Sequence, residues 1–423
     1  MPELGPSPLT SGDELSVRAA IAAIAAVLRP ITDTETLALD QALGRVLAAD
    51  VVSPIDVPAH DNSAMDGYAL LGADLQAGGP TVLRAVAGTV FAGASSGSRL
   101  ASGECIRIMT GAVMPPGLDT VVPIELCRVE GDTVTLSPGV LRAGENRRHR
   151  GEDLTRGGVA LPAGRLLRPA DLGLVASLGM PRLSVFRRLR VALFSTGDEL
   201  RAPGEPLPPG CIYDSNRASL LAALQRLGVE VIDLGLVPDD PAALRATLDS
   251  AIAAADVVLT SGGVSVGDAD HTRDLLASCG EVAFWKVAMR PGRPFAFGPL
   301  FGAGGKTAWL FALPGNPVAA LVTFYVLARD ALLALAGAIV PPTPRLRARS
   351  PVPIRKRPGR TEFQRAIVAP SASGGWDVRI TGAQGAGILS SMSQANALLV
   401  LDHDQGSVAA GDEVEVWLFD GLV

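Results

Sequence analysis

Two serines and three glycines precede two aspartates in the run Thr260-Ser261-Gly262-Gly263-Val264-Ser265-Val266-Gly267-Asp268-Ala269-Asp270-His271. Glycine has no Cβ, so successive backbone N–H groups in such a loop can converge on one point and form a nest for an anion such as phosphate. Asp268 and Asp270 add hard oxygen donors of the kind that hold a divalent cation. Anion-binding donors beside metal-binding carboxylates suit metal-assisted phosphate chemistry. An ordinary strand-to-helix turn has the same composition, so the loop alone leaves both readings open.

More polar residues gather on other short loops. Ser195-Thr196-Gly197-Asp198-Glu199 follows the apolar run Val191-Ala192-Leu193-Phe194, and Pro314-Gly315-Asn316-Pro317 follows another at 308–313. Segment 58–69 carries His60, Asp61, Asn62, Ser63 and Asp66 without a clear period, which by composition reads as a solvated turn. Single loop carboxylates such as Asp66, Asp153, Asp198, Glu199, Asp239 and Asp240 more often cap helices or face water than do chemistry. Several at one sheet edge change that weighting. Gly304-Gly305-Lys306-Thr307 imitates the end of a P-loop, but its first glycine would fall at Leu300 and an extended run follows Thr307, so no helix N-terminus would face a phosphate. No G-x-G-x-x-G follows a strand, which removes the simplest dinucleotide reading.

The elements that must position these residues follow from periodicity. Between 188 and 335, apolar runs at 190–194, 229–234, 256–259 and 308–313 alternate with helical patterns. One helix is capped by Asp214 and carries Leu220, Leu221, Leu224 and Leu227. Another opens with Asp240-Pro241 and carries Leu244, Leu248 and Ile252; a third lies near 272–278, and a long apolar one starts at Pro317. This alternation predicts a doubly wound α/β domain with right-handed crossovers, in which ligands bind at the carboxyl ends of the strands. Loops 195–199, 260–270 and 313–317 occupy such ends and are expected to line one pocket.

Upstream, Ser11-Gly12-Asp13-Glu14 has the form of a capping box and predicts a first helix of about four turns, through Ile21, Ile24, Val27 and Leu28 to Pro30. Residues 35–52 read as a brief mixed element, 81–141 as a compact β-rich domain, and 169–181 as a helix. The charged run 142–154, with Arg147, Arg148, Arg150, Glu152 and Asp153, reads as a solvated connection. Beyond Pro341-Pro342-Thr343-Pro344, about five alternating runs predict a small C-terminal β-barrel or sandwich holding the basic cluster Arg355-Lys356-Arg357-Pro358-Gly359-Arg360.

A chain of 423 residues is long for one core, so two to four domains are expected. A net charge of −6 argues against sequence-independent nucleic-acid binding, so any anion site must be made locally. Cys105, Cys127, Cys211 and Cys279 form no C-x-x-C pair, hence no zinc site or disulfide framework is read. Few cysteines and no apolar leader after Met1 point to a cytoplasmic protein. The most apolar helical stretch, 317–328, meets Arg329-Asp330 short of the about 20 residues a bilayer needs, so no membrane is expected.

Taken in order, Asp61-Asn62-Ser63-Ala64-Met65-Asp66-Gly67-Tyr68-Ala69, Gly151-Glu152-Asp153, Ser195-Thr196-Gly197-Asp198-Glu199-Leu200, the Ser261 to Asp270 run, Arg290-Pro291-Gly292-Arg293-Pro294 and Leu313-Pro314-Gly315-Asn316-Pro317 resemble the molybdopterin molybdenumtransferase family, that of MoeA and the gephyrin E-domain. The likeness spans most of the chain. It implies a multidomain α/β protein: 14–33 with 184–342 as the molybdopterin-binding α/β domain, 34–51 with 158–183 as a small linking α/β domain, 52–157 as a β-rich domain, and 343–423 as a C-terminal β-barrel. It also implies an elongated homodimer, with the β-rich segment of one subunit completing the partner's site. The implied reaction takes adenylylated molybdopterin and molybdate to molybdenum cofactor and AMP with Mg²⁺, and the adenylyltransferase that supplies the substrate becomes an expected partner.

On that resemblance, Asp66, Thr110, Asp153, Glu199 and Asp270 are the expected catalytic residues, with Glu199, Asp268 and Asp270 around the metal. Ser195, Thr196, Gly197, Ser261, Gly262, Gly263, Ser265, Gly267, Pro314 and Pro317 would cradle the pterin substrate. Lys286, Arg290, Arg293 and Arg360 would supply cations for molybdate, a tetrahedral dianion that needs charged forks and N–H donors. This chain has Arg290 and Arg293 where many relatives have lysine, and Ala386 where serine is usual, leaving Ser390 or Ser391 to replace that hydroxyl. Two other readings stay open: a molybdopterin adenylyltransferase, for which 188–335 alone would suffice, and a non-catalytic scaffold that keeps the fold. Asp66, Glu199 and Asp270 favour catalysis, because a scaffold has no need of desolvated carboxylates.

Overall fold

The computed structural model describes residues 14–94, 97, 99–262 and 270–419. Its central sheet has six strands in the order Glu230–Val237, Arg190–Thr196, Val257–Ser261, Thr307–Leu313, Pro294–Phe301, Ala283–Lys286. The first four run parallel, and the last two join by antiparallel pairing. Val257–Ser261 is buried along its whole length, as expected of a parallel strand covered on both faces. Helices Val17–Val27, Ser215–Arg226 and Pro317–Thr323 pack on one face, through Ile24, Leu220 and Val322. Helix Pro241–Ala254 packs on the other through Leu244, Leu248 and Ile252, joined there by Leu276 of helix Asp270–Ser278. The domain is therefore doubly wound.

Local sequence chemistry explains the helix starts. Asp214 accepts from Arg217 N at 3.0 Å, and Asp240 accepts from Ala243 N at 2.8 Å with Pro241 in the first turn. The first helix differs from expectation. It begins at Val17, capped by Ser16 accepting from Ala19 N at 3.1 Å, and it has 11 residues, about three turns. Ser11 lies outside the described residues.

Two further features complete the domain. The long apolar helix runs from Pro317 past Arg329-Asp330 to Leu335, with Pro317–Thr323, a π-helical segment Phe324–Ala328 and Arg329–Leu335 following one another directly. The resulting 19-residue helix is long and apolar enough to cross a membrane by length and composition, but 72% of its apolar window is buried inside the protein. Second, Pro294–Phe301 is a strand, forming a hairpin with Thr307–Leu313. Gly304 and Gly305 lie in that hairpin's turn, consistent with rejecting a P-loop.

The β-rich region forms a six-stranded sheet ordered Thr120–Pro123, Gly67–Leu70, Glu104–Ile108, Thr81–Val90, Thr133–Leu136, Cys127–Glu130. The charged run is largely exposed, as a solvated stretch should be, and it is also tied to the rest of the chain. Arg147–Arg148 pairs antiparallel with Asn62–Ser63, Arg150 N donates to Asp61 at 2.8 Å, and Arg150 Nε meets Asp56 at 2.6 Å. Arg147 and Arg150 find their counter-charges on the 56–61 segment, whereas Arg148 pairs with Glu152 inside the run. In the C-terminal region Thr361–Pro370 pairs with both Trp376–Ile380 and Ala397–Leu401, and the circuit returns through Leu346–Arg349 and Glu413–Leu418, closing a five-strand barrel. Met289–Arg290 adds to it in parallel beside Thr361 and Glu362, which ties the barrel to the α/β domain.

Candidate active site

Ser195, Ser261 and Leu313 stand in register on three neighbouring parallel strands, so the loops that follow leave the sheet side by side. Asn216, in the first turn of helix Ser215–Arg226, joins two of them by donating to Ser261 Oγ at 2.6 Å and to Gly315 O at 2.7 Å. Gly262 N adds a bond to Leu313 O at 3.1 Å. Gly262 has φ +97°, and a Cβ there would lie 2.6 Å from Thr196 O, so the close approach of the two loops requires glycine. Thr196 Oγ1 bonds the Asp239 carboxylate, and Asp239 N donates to Asp198 Oδ1 at 3.1 Å. Glu199 folds its exposed carboxylate back over Gly197, where an added Cβ would meet Glu199 Oε2 at 2.6 Å. Ser195 Oγ and Asn216 Oδ1 are buried without hydrogen-bond partners, which leaves a donor and an acceptor at the strand ends for something else to satisfy.

Beside these loops lies a cavity of about 280 Å³, walled by Arg290, Gly292, Pro314, Asn316, Gln384 and Ala386 among others. Pro317 opens the helix behind it, and Val318 N donates to Ala386 O at 3.0 Å, fixing the barrel's loop against the helix N-terminus. Only a methyl group stands at Ala386. Ser391 does not replace the missing hydroxyl: its Oγ accepts from Arg365 Nε at 3.0 Å and donates to Ile388 O at 2.6 Å. Arg290 is exposed at the cavity. Arg293 and Arg360 are not free forks as expected. Both pair with Glu14, which takes Arg360 Nε at 3.2 Å and Arg360 Nη2 at 3.1 Å. Lys286 is half-buried on the edge strand Ala283–Lys286.

Asp66 and Thr110 come together in the β-rich region. Thr110 donates from both its hydroxyl and its backbone N–H to Asp66 Oδ1, each at 2.6 Å. The hydroxyl bond first and the amide bond second hold the Asp66 carboxyl below its ordinary pKa. Asp153 is exposed, with its backbone N bonded to Val57 O at 3.0 Å. Among the described residues, no hydrogen bond or ion pair links Asp66, Thr110 or Asp153 to the strand-end loops of the same chain. Gly263, Ser265, Gly267 and Asp268 lie outside the described residues; Asp270 is the first residue of helix Asp270–Ser278. Asp240 is a cap, whereas Asp239 faces Thr196. Asn216 is the residue that sequence reasoning missed. Its place in the first turn of a helix rising from the ligand edge of the sheet was the available signal.

Three family descriptions match along the chain: the MoeA N-terminal region (domain I and II) at residues 15–179, a probable molybdopterin binding domain at 192–334, and the MoeA C-terminal region (domain IV) at 347–419. A molybdopterin molybdenumtransferase of Haemophilus influenzae is 42% identical over 394 residues, covering 93% of this chain and 95% of the relative. This chain belongs to the molybdopterin molybdenumtransferase family. Molybdopterin molybdenumtransferase 2 of Mycobacterium tuberculosis is 38% identical, covering 92% of this chain and 95% of that relative. A molybdopterin biosynthesis MoeA protein of Pyrococcus horikoshii superposes with a TM-score of 0.81 at 29% identity, over 96% of this chain and all of that one. Membership places the chain in molybdenum cofactor biosynthesis as a transferase. The resemblance read from the sequence motifs is thereby borne out at the level of family and fold.

Proposed function

We propose that this transferase inserts molybdate into adenylylated molybdopterin and releases AMP, with Mg²⁺, as a cytoplasmic homodimer. The observation that carries the reading is the registration of Ser195, Ser261 and Leu313 at one sheet edge, clamped by Asn216, beside a cavity that Arg290 faces. The loops hold the pterin and phosphate end of the substrate, and the unpartnered Ser195 Oγ and Asn216 Oδ1 gain partners when it binds. Arg290 offers a planar fork to the molybdate dianion, and Arg293 and Arg360 join it when Glu14 gives way.

Breaking the phosphoanhydride requires its negative charge to be neutralised and its leaving group oriented. Described donors at the strand ends are oxygens, from Ser195, Asp198, Glu199 and Asp239, which suits a hard cation such as Mg²⁺. Glu199, Asp270 and Asp268 are the residues proposed to hold it, and the ion supplies electrostatic stabilisation of the departing phosphate. Asp66 stays anionic because Thr110 donates to it twice, so its part is orientation or charge, not proton donation.

The test is AMP release from adenylylated molybdopterin on addition of molybdate and Mg²⁺. Glu199→Ala and Asp270→Ala should each slow it by about a hundredfold, the usual scale for losing one preorganised electrostatic group. Full rate in both variants, or no AMP from the native protein, refutes the reading.

A further inference from the structure

We infer that Asn216 is a positioning residue: it sets the separation between the strand-end loops and the molybdate cavity, and through that separation it governs turnover at saturation. The inference rests on the insertase reading, in which two substrates are bound by different residues and must meet. The two amide protons of Asn216 go one to each side. Nδ2 donates at 2.6 Å to Ser261 Oγ, at the end of strand Val257–Ser261, and at 2.7 Å to Gly315 O, on the loop that walls the cavity with Pro314 and Asn316. Gly262 N also bonds Leu313 O at 3.1 Å, but that bond ties the strand ends themselves, whereas Asn216 reaches the loop beyond them. A Cβ on Gly315 would lie 3.9 Å from Gly262 Cα, so glycine faces glycine where the two loops pass. With no side chains interlocked there, the spacing is left to hydrogen bonds.

The helix turn that carries Asn216 is anchored from behind. Asp214 is buried; it caps the helix by accepting from Arg217 N, and its own N–H donates to Arg201 O at 3.0 Å. Arg217 Nη1 reaches Asp233 Oδ2 on the neighbouring strand at 2.7 Å, and Leu220 and Leu224 sink into the core under the sheet. A side chain presented from so fixed a turn holds its partners at a fixed distance. The amide's orientation is settled too. Gly315 O can only accept, so a turned amide would set oxygen against oxygen. Held this way round, Asn216 leaves Oδ1 buried with no partner in the protein, a local cost that an N–H of the pterin relieves. Stability is given up where the site needs both donors, as happens at functional positions. The consequence for turnover is geometric, because misplacing reacting groups by about 1 Å can cost about a hundredfold in rate.

AMP release by the full-length protein at saturating adenylylated molybdopterin, molybdate and Mg²⁺, alongside calorimetric titration with molybdate alone, tests it. Asn216→Leu should lower kcat by about a hundredfold. Its molybdate Kd should stay within about twofold of native, since Asn216 does not line the cavity. Losing the Oδ1 contact should raise the Kd for adenylylated molybdopterin, titrated without molybdate, by about tenfold, and saturation removes that effect from kcat. The leucine also removes the unpaired acceptor, so thermal unfolding should stay cooperative with its midpoint little changed. Asn216→Ala, which introduces no bulk, should repeat the same split. A merely structural role predicts a different pattern, in which molybdate affinity and the unfolding midpoint fall together with the rate, or folding is lost. That pattern overturns the inference, as does native kcat at saturation in both variants. No AMP from the native protein overturns the insertase reading; native release with undiminished kcat in the variants overturns this inference and leaves that reading standing.

Discussion

Asp66 is exposed, and an exposed aspartate ordinarily protonates in the usual carboxylate range. Here two donations from Thr110 favour its charged form and lower its pKa. The sign follows directly. A depressed pKa keeps the carboxylate ionised as pH falls, and what the pair contributes is lost only as pH drops through the lowered value. Thr110→Ala removes the larger of the two causes and leaves the amide bond, so the Asp66 pKa should rise toward the ordinary value. The acid limb of the AMP-release profile should then move to higher pH, and Thr110→Ser should restore it. A limb that stays in place while kcat falls would mean that Thr110 acts on the substrate and not through Asp66.

Segments as well as single groups decide what the cavity can bind. Leu15 N bonds Lys286 O at 2.9 Å and Ala288 N bonds Leu15 O at 2.7 Å, which sets Glu14 at the junction of the α/β domain and the barrel. From there its carboxylate bridges Arg293 and Arg360, where a dianion would be expected to sit. Partly exposed ion pairs are worth about 0–1 kcal/mol, so Glu14 is a weak competitor that an incoming oxyanion can displace. Glu14→Gln should tighten molybdate binding by roughly two- to fivefold in calorimetry. Unchanged affinity would mean that Arg293 and Arg360 do not touch the oxyanion. No periodicity announces this contact, since Glu14 and Arg360 lie 346 residues apart. The parallel strands were legible because strands buried on both faces are unbroken apolar runs, and the helix starts were legible because Asp214 and Asp240 cap them within one turn. Pro294–Phe301 was not, since Pro299 and Gly298 argue against a strand, and it is held by spatial neighbours on both sides. The pairing of the charged run was hidden for a related reason: the partners of Arg147 and Arg150, Asp61 and Asp56 respectively, are distant in sequence.

Across the whole molecule, the barrel and the α/β domain share one core, with Phe363, Leu398 and Val400 packed among the residues of the sheet and its helices. The β-rich region has cores of its own, around Ile108 and Val121 on one side of its sheet and Leu83 and Val134 on the other. Asp66 and Thr110 sit on that separately packed region, while Ser195, Ser261 and Glu199 sit on the shared one, with no hydrogen bond or ion pair joining the two sets among the described residues. A homodimer in which one subunit's β-rich region meets its partner's strand ends would unite them, and symmetry would then build two equivalent composite sites. Co-expression of Asp66→Ala and Glu199→Ala chains separates this arrangement from a site built within one chain. Random pairing makes half of the dimers hybrid, and each hybrid has one site with both defects and one with neither, so AMP release should recover to about a quarter of the native rate. A site made within one chain recovers nothing on mixing, because every copy of it then lacks one carboxylate.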